Sequence, residues 1–231
     1  MEGYSGLSIY PRTGLLAYLS QPEWRNVCAG GIPVHYPPRT VLLRQGDQTE
    51  HVHVIVAGCV KATRCEPDGS QALLTLRTAG DVVGDMAAVD RRPRSATVTA
   101  LTDVITHLLS GEQFRRFLTR PAVAAGYAAY TVGRLREAGL QRTELAVLPV
   151  RQRLARTLLR LNRASGPAIR LPQRELAELI GASRNAVVAE LARLRDQGIV
   201  VTGRRETGIV DPARLVEAAG ELVRTERPVT W

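Results

Sequence analysis

Three periods of hydrophobic and polar positions divide this chain. From Pro33 to Leu109, apolar residues come in short runs, each closed by a turn signal. Val41-Leu42-Leu43 precedes Gly46-Asp47, Val52–Val56 runs into Ala57-Gly58, and Cys59–Thr63 leads to the hairpin pair Asp68-Gly69. Ala72–Leu76 meets Gly80-Asp81, and Ala96–Leu101 and Val104–Leu109 close the set. Strands about every ten residues with Gly-Asp turns predict an antiparallel barrel or roll. Ahead of it, Thr13–Leu19 and Glu23–Cys28 read as short helices.

From Pro121 to about Leu148 the apolar spacing changes to 3 and 4. Ala124, Tyr127, Thr131, Leu135, Ala138, Arg142 and Leu145 make a coiled-coil-like seam, interrupted at Thr131 and Arg142. The length of this helix favours a dimer seam over simple packing between two domains. Leu148-Pro149 ends it, because a residue before proline avoids the helical region, and marks a hinge. Three divisions follow: 1–120 a roll, 121–148 the long helix, and 149–231 a second domain.

That second domain opens with an arginine-rich helix, Val150–Asn162, with Leu154, Leu158 and Leu161 on one face. Then Leu176, Leu179 and Ile180 fall on one helical face, with Pro172 suited to its first turn. Gly181 permits a sharp turn and Ser183 caps a second helix, whose inward stripe is Val187, Leu191 and Leu194. Arg184, Asn185, Val188 and Ala189 are left pointing outward near its start. This is the layout of a helix-turn-helix, with an ordinary αα-hairpin as the alternative. Ile199–Val201 and Gly208–Val210 flank Arg204-Arg205-Glu206-Thr207, a small wing whose arginines meet phosphates or simply solvent. Residues 212–231 read as a short helix and a tail.

Charge supports a polyanionic partner. The net charge is +9, and residues 150–231 hold 15 Lys+Arg against 9 Asp+Glu, whereas residues 1–149 hold 16 against 13. The excess of +6 thus surrounds the helix-turn-helix, where phosphate neutralisation would release counterions. Lys61 is the only lysine beside thirty arginines, a bias read as genomic base composition. No run approaches the roughly 20 apolar residues of a membrane span, and the Met1–Ser5 start lacks a signal-peptide pattern, so a cytoplasmic protein is expected. Cys28, Cys59 and Cys65 lack the spacing for a disulfide framework or an iron–sulfur cluster. His51 and His53 would share a strand face, read as packed or solvated rather than as a metal site. No nucleophile triad, metal spacing or complete triphosphate loop is present, so an enzyme is not expected.

The order of these parts resembles the cyclic-AMP receptor protein and fumarate/nitrate regulator family over about residues 33–211. Two segments carry it. One is Gly80-Asp81-Val82-Val83-Gly84-Asp85-Met86-Ala87-Ala88 followed by Arg92-Pro93-Arg94-Ser95-Ala96-Thr97-Val98, which looks like the family's phosphate-binding cassette. The other is Ser183-Arg184-x-x-Val187-x-x-x-Leu191-x-x-Leu194, ending in Gln197-Gly198-Ile199. The resemblance implies an α+β fold: an N-terminal antiparallel β-roll of cyclic-nucleotide-binding type, a long dimerisation helix and a C-terminal winged helix-turn-helix. It implies a homodimeric cytoplasmic transcription regulator on a palindromic double-stranded DNA operator, with RNA polymerase as a further partner. The implied effector is a cyclic nucleotide, cyclic AMP ahead of cyclic GMP, with no metal.

In the cassette, Arg94 pairs a monoanionic phosphate through two N–H groups and Ser95 adds a hydroxyl donor. The small turn Gly84-Asp85-Met86-Ala87 aims backbone N–H groups at the same phosphate. Asp85 accepts from the ribose 2′-hydroxyl, one methylene shorter than the family's Glu. The alternative for Arg94 is a salt bridge inside the roll. Hydroxyls that read adenine on the family's long helix are replaced by Ala138 and Gly139. On the DNA side Arg184 addresses guanine O6 and N7, with Arg174, Ser183, Asn185, Val188, Ala189, Arg204 and Arg205 completing the interface. Asn185 and Ala189 depart from the better-known member, so its operator sequence is not expected in full. A regulator with a vestigial, effector-independent cassette is the competing reading.

Overall fold

A computed structural model describes residues 14–69, 71–165, 168–203 and 206–220. A 3-10 turn, Gly14–Tyr18, leads into helix α1, Gln21–Ala29. The helix starts at a reciprocal cap: Ser20 Oγ accepts from the Glu23 N–H while the Glu23 carboxylate accepts from the Ser20 N–H.

Eight strands follow: β1 Ile32–Tyr36, β2 Val41–Leu43, β3 Val52–Ala57, β4 Cys59–Cys65, β5 Gln71–Thr78, β6 Val82–Val83, β7 Thr97–Ala100 and β8 Val104–Leu109. They form two antiparallel sheets, ordered β1-β8-β3-β6 and β2-β7-β4-β5, closed on each other as a roll. Ile55, Val60, Val83, Val98 and Val104 fill one core of the roll. Strand β1 lies outside the runs the pattern picked out. It contains Pro33, which is tolerated because β1 is an edge strand, where a missing N–H breaks no ladder on the open side.

Three helices dress the roll: α2 Asp85–Asp90, α3 Gly111–Leu118 and α4 Pro121–Val147. The expected small turn at Gly84–Ala87 is therefore the start of a helix. Gly84 stands at its N-cap with φ 85°, a left-handed conformation that a Cβ would strain. Leu15, Leu19, Trp24, Val54, Phe114, Val123 and Tyr130 form a second core beneath these helices. Helix α4 lays Val123, Gly126 and Tyr130 against the roll. Tyr127 goes with them: its hydroxyl donates to Asp85 Oδ2 at 2.9 Å. Its place in an outward seam is thus corrected, because the Asp85 carboxylate draws its hydroxyl to the roll. Leu135 keeps the outward face, 73% exposed, with Ala138 and Leu145 also exposed. Leu148 is extended, φ −95° and ψ 142°, and the helix stops before Pro149.

The C-terminal part holds α5 Val150–Ser165, β9 Ala168–Ile169, α6 Gln173–Leu179, α7 Arg184–Asp196, β10 Val200–Gly203, β11 Glu206–Ile209 and α8 Pro212–Ala218. Its sheet is ordered β10-β11-β9. Leu154, Leu158, Leu176, Ile180, Val187, Leu191 and Leu194 are its core. Pro172 is the N-cap of α6 rather than a first-turn residue, its φ of −60° feeding the helix from an extended ψ. Gly181, at φ 57°, makes the turn into α7. Leu76 and Leu101 of the roll pack onto this core, and Lys61 Nζ meets Glu175 Oε1 at 2.6 Å across the two parts. No helix among the described residues is long and apolar enough to cross a membrane.

Candidate ligand cleft and nucleic-acid interface

Gly84, Asp85, Met86, Ala87, Arg94 and Ser95 converge on one cleft, joined by Leu43, Ala62, Thr75, Arg77, Val98 and Arg134. Arg94 is buried, and it makes no salt bridge among the described residues. Its Nε donates to Thr49 Oγ1 at 3.0 Å, Nη1 to the Gly84 carbonyl at 2.8 Å and Nη2 to the His51 carbonyl at 2.6 Å. A guanidinium has five N–H donors, so one on each Nη is uncommitted. Three bonds fix the plane of the group and leave a two-pronged donor for an anion. Burial pulls its pKa below the ordinary value, and Asp47, Asp85 and Glu50 pull it back. No side chain caps α2 beside it. Ser95 Oγ lies 3.9 Å from Met86 Sδ, a weak contact that an anion readily displaces.

Asp85 is already engaged by α4. Its Oδ2 already accepts from Tyr127 and, at 2.9 Å, from Arg134 Nη1, and its side chain is 4% exposed. A neutral donor and a cation from α4 therefore hold the one carboxylate in the cleft. Burial first, then the Asp85 charge, push the Tyr127 phenol upward, so it remains a donor. Tyr130 donates to Asp81 Oδ1 at 2.9 Å, and Arg134 lies 5.3 Å over the Tyr130 ring. The free volume of the cleft is about 70 Å³, against the roughly 300–1,000 Å³ of small-molecule sites. Arg134 ties one wall of it to α4. Ala138 and Gly139 are exposed and lie outside the cleft.

On the other face, Ser183 Oγ accepts from the Ala186 N–H at 3.2 Å and so caps α7. Arg184, Asn185, Val188 and Ala189 are exposed along the first turns of that helix. Arg174, 82% exposed, pairs with Glu178 one turn on. Strands β10 and β11 pair antiparallel, Val200 opposite Ile209 and Gly203 opposite Glu206, which is the expected wing. Arg204 and Arg205 lie outside the described residues.

Several features escaped the sequence. Ser110 and Gln113 cap α3 reciprocally, a Ser-x-x-Gln signature legible in advance. Arg77 and Arg134 in the cleft had only their place in a strand and on a helix face as signals. His53 is buried, its Nδ1 3.2 Å from Thr106 Oγ1 and its ring edge-on to His51 and Tyr36. Among the described residues no cluster of His, Cys, Asp and Glu could hold a metal. Cys28 and Cys59 are buried and their thiols are pushed up to about 12 by desolvation, which makes them poor nucleophiles.

Residues 33–120 match the family model described as cyclic nucleotide-binding domain, and residues 152–218 the Crp-like helix-turn-helix domain. The chain is 33% identical over 186 residues to the cyclic AMP receptor protein of Thermus thermophilus, covering 80% of this chain and 86% of that one. Identity to the CRP-like cAMP-activated global transcriptional regulator of Mycobacterium tuberculosis is 29% over 196 residues, 81% of this chain and 88% of that one. The structure of FixK2 from Bradyrhizobium japonicum has the same fold, with a TM-score of 0.72 at 22% identity over 83% of this chain and 98% of that one. A cyclic-nucleotide-type roll carrying a winged helix-turn-helix defines a class of DNA-binding transcription regulators. The chain belongs to one family of that class, the cyclic-AMP receptor protein and fumarate/nitrate regulator (Crp/Fnr) family.

Proposed function

We propose that the chain is a homodimeric, cytoplasmic regulator that reads a palindromic operator and is controlled by a cyclic nucleotide in the roll. The observation that carries this is the pair of uncommitted N–H groups on buried Arg94, in a cleft that Arg134 of α4 also lines. The roll (1–120) senses, α4 and its surroundings (121–148) join two copies through the Leu135 face, and residues 149–231 read DNA. The nucleotide phosphate sits on Arg94 and Ser95; Asp85 yields its bond to Arg134 when the sugar arrives. Because the closed cleft is too small, a nucleotide binds the opened arrangement better, and only such a difference shifts a population. Opening moves Arg134 and with it α4. At the far end of α4, Glu144 holds Arg156 at 3.3 Å and Arg160 at 2.8 Å on α5, so motion of the helix reaches the DNA-reading part across the hinge. Arg184 addresses guanine, Ser183, Arg174, Arg204 and Arg205 phosphates, and Asn185, Val188 and Ala189 the neighbouring base edges. RNA polymerase is the partner that makes such occupancy count.

Operators selected from a random duplex pool are expected to show half-sites about one helical turn apart, and operator affinity is expected to change with cyclic nucleotide. Affinity that does not move across millimolar ligand refutes the allosteric half. The small closed cleft favours a second reading, an effector-independent regulator. Arg94→Ala with unchanged DNA affinity and transcription would establish it.

A further inference from the structure

Side chains along β5 alternate between faces, so Thr75 and Arg77 share one, and both line the cleft. Three guanidiniums stand there, and they differ in what they hold. Arg94 is committed to Thr49, Gly84 and His51, and Arg134 to Asp85. Arg77 reaches only the carbonyl of its neighbour Leu76, at 3.3 Å through Nη1, and its buried Nε has no hydrogen-bond partner among the described residues. A donor kept from water without an acceptor is costly. The cleft it lines has apolar walls at Leu43, Ala62, Val83 and Val98, and the one carboxylate there, Asp85, is held by Tyr127 and Arg134. One N–H of Nη1 and both of Nη2 have no hydrogen-bond partner among the described residues, so the fork has donors to offer a ligand.

We infer that Arg77 reads the base of the effector and selects guanine over adenine. This rests on the cyclic-nucleotide reading of the cleft. With the phosphate on Arg94 and Ser95 from the cassette, Arg77 of β5 is the guanidinium of the same cleft that is left for the base. The edge of guanine offers two acceptors, O6 and N7, whereas adenine offers N7 beside an amino donor. A guanidinium is all donors. It satisfies both guanine atoms in a bidentate pair and meets the adenine amino group with like polarity. Ala138 and Gly139, exposed and outside the cleft, give adenine no compensating side-chain partner on α4. The resemblance put cyclic AMP first; the donor on β5 reverses that order.

The test is calorimetric titration of the full chain with cyclic GMP and cyclic AMP, repeated on Arg77→Leu, Arg77→Lys and Arg94→Ala. The wild-type chain is expected to prefer cyclic GMP by about 10- to 100-fold, the scale of one bidentate base contact. Arg77→Leu should erase the preference while leaving cyclic AMP affinity within about threefold, the scale of one weak contact. Arg77→Lys, which keeps the charge and loses the fork, should erase most of it, and Arg94→Ala should weaken both nucleotides alike. Equal binding of the two nucleotides, tighter cyclic AMP, or a preference that survives Arg77→Leu overturns the assignment of Arg77 and leaves the cyclic-nucleotide reading standing. Binding of neither nucleotide by the wild-type chain overturns that reading, and the assignment with it.

Discussion

Acid should loosen the roll through a single buried imidazole. His53 is 1% exposed, its Nδ1 is matched with Thr106, and its Nε2 has no hydrogen-bond partner among the described residues. Burial, then the neighbouring His51 and Arg94, lower its pKa to about 3. The folded chain therefore keeps His53 neutral over a range in which the unfolded chain takes up a proton, from its ordinary value near 6.5 downward. The unfolded state binds more protons there, so stability is fully present above pH 6.5 and is lost progressively as pH falls toward 3. At about 1.4 kcal/mol per pH unit the whole window is worth about 5 kcal/mol, and the part between pH 6.5 and 4.5 about 2 kcal/mol. Urea unfolding followed by the fluorescence of buried Trp24 reads this directly in wild type and His53→Gln, which can still bond Thr106 and cannot charge. The variant should start less stable at pH 7.5 and lose about 2 kcal/mol less than wild type on going to pH 4.5. Parallel stability curves for the two proteins would refute the reasoning.

Three further outcomes are expected. Gly84→Ala places a Cβ 2.7 Å from both Arg94 Nη1 and the His51 carbonyl in a left-handed backbone; it should cost about 1–3 kcal/mol in urea unfolding and weaken nucleotide binding at least about tenfold. Lys61→Met and Glu175→Gln, which break a pair whose side chains are 20% and 14% exposed, should show about 1–3 kcal/mol of coupling in a double-mutant cycle. Additivity within about 0.5 kcal/mol would mean the two domains are not joined through this pair. Leu135→Arg, a charge on the exposed seam of α4, should convert a dimer to a monomer by light scattering, with cyclic nucleotide binding retained.

The roll and the helix-turn-helix were legible because each rests on local signals. Gly-Asp turns punctuate the strands, and Ser183 announces α7 three residues before the amide it caps. What was not legible depends on which face an element turns inward. Spacings of 3 and 4 mark a stripe on α4 without saying what covers it, so the spacing groups Tyr127 with Leu135 although Asp85 draws it to the roll. Pro33 hid β1, since only topology shows that strand to be an edge. In the cleft the cassette residues were legible by their motif, but their partners were not. Nothing in the run Leu74-Thr75-Leu76-Arg77 says which wall it forms, and nothing near Asp85 in the chain announces Arg134, 49 residues away. The contact between Lys61 and Glu175 spans 114 residues and leaves no local trace.

That contact has a chemical consequence. Thirty of the thirty-one basic side chains are guanidiniums, which hold their charge under all ordinary conditions; the one primary side-chain amine is the one that bridges the roll to α6. A reagent that acylates amines thus has a single side-chain target in the whole chain. Acylation there would remove the positive partner of Glu175 and with it the ion pair between the two parts.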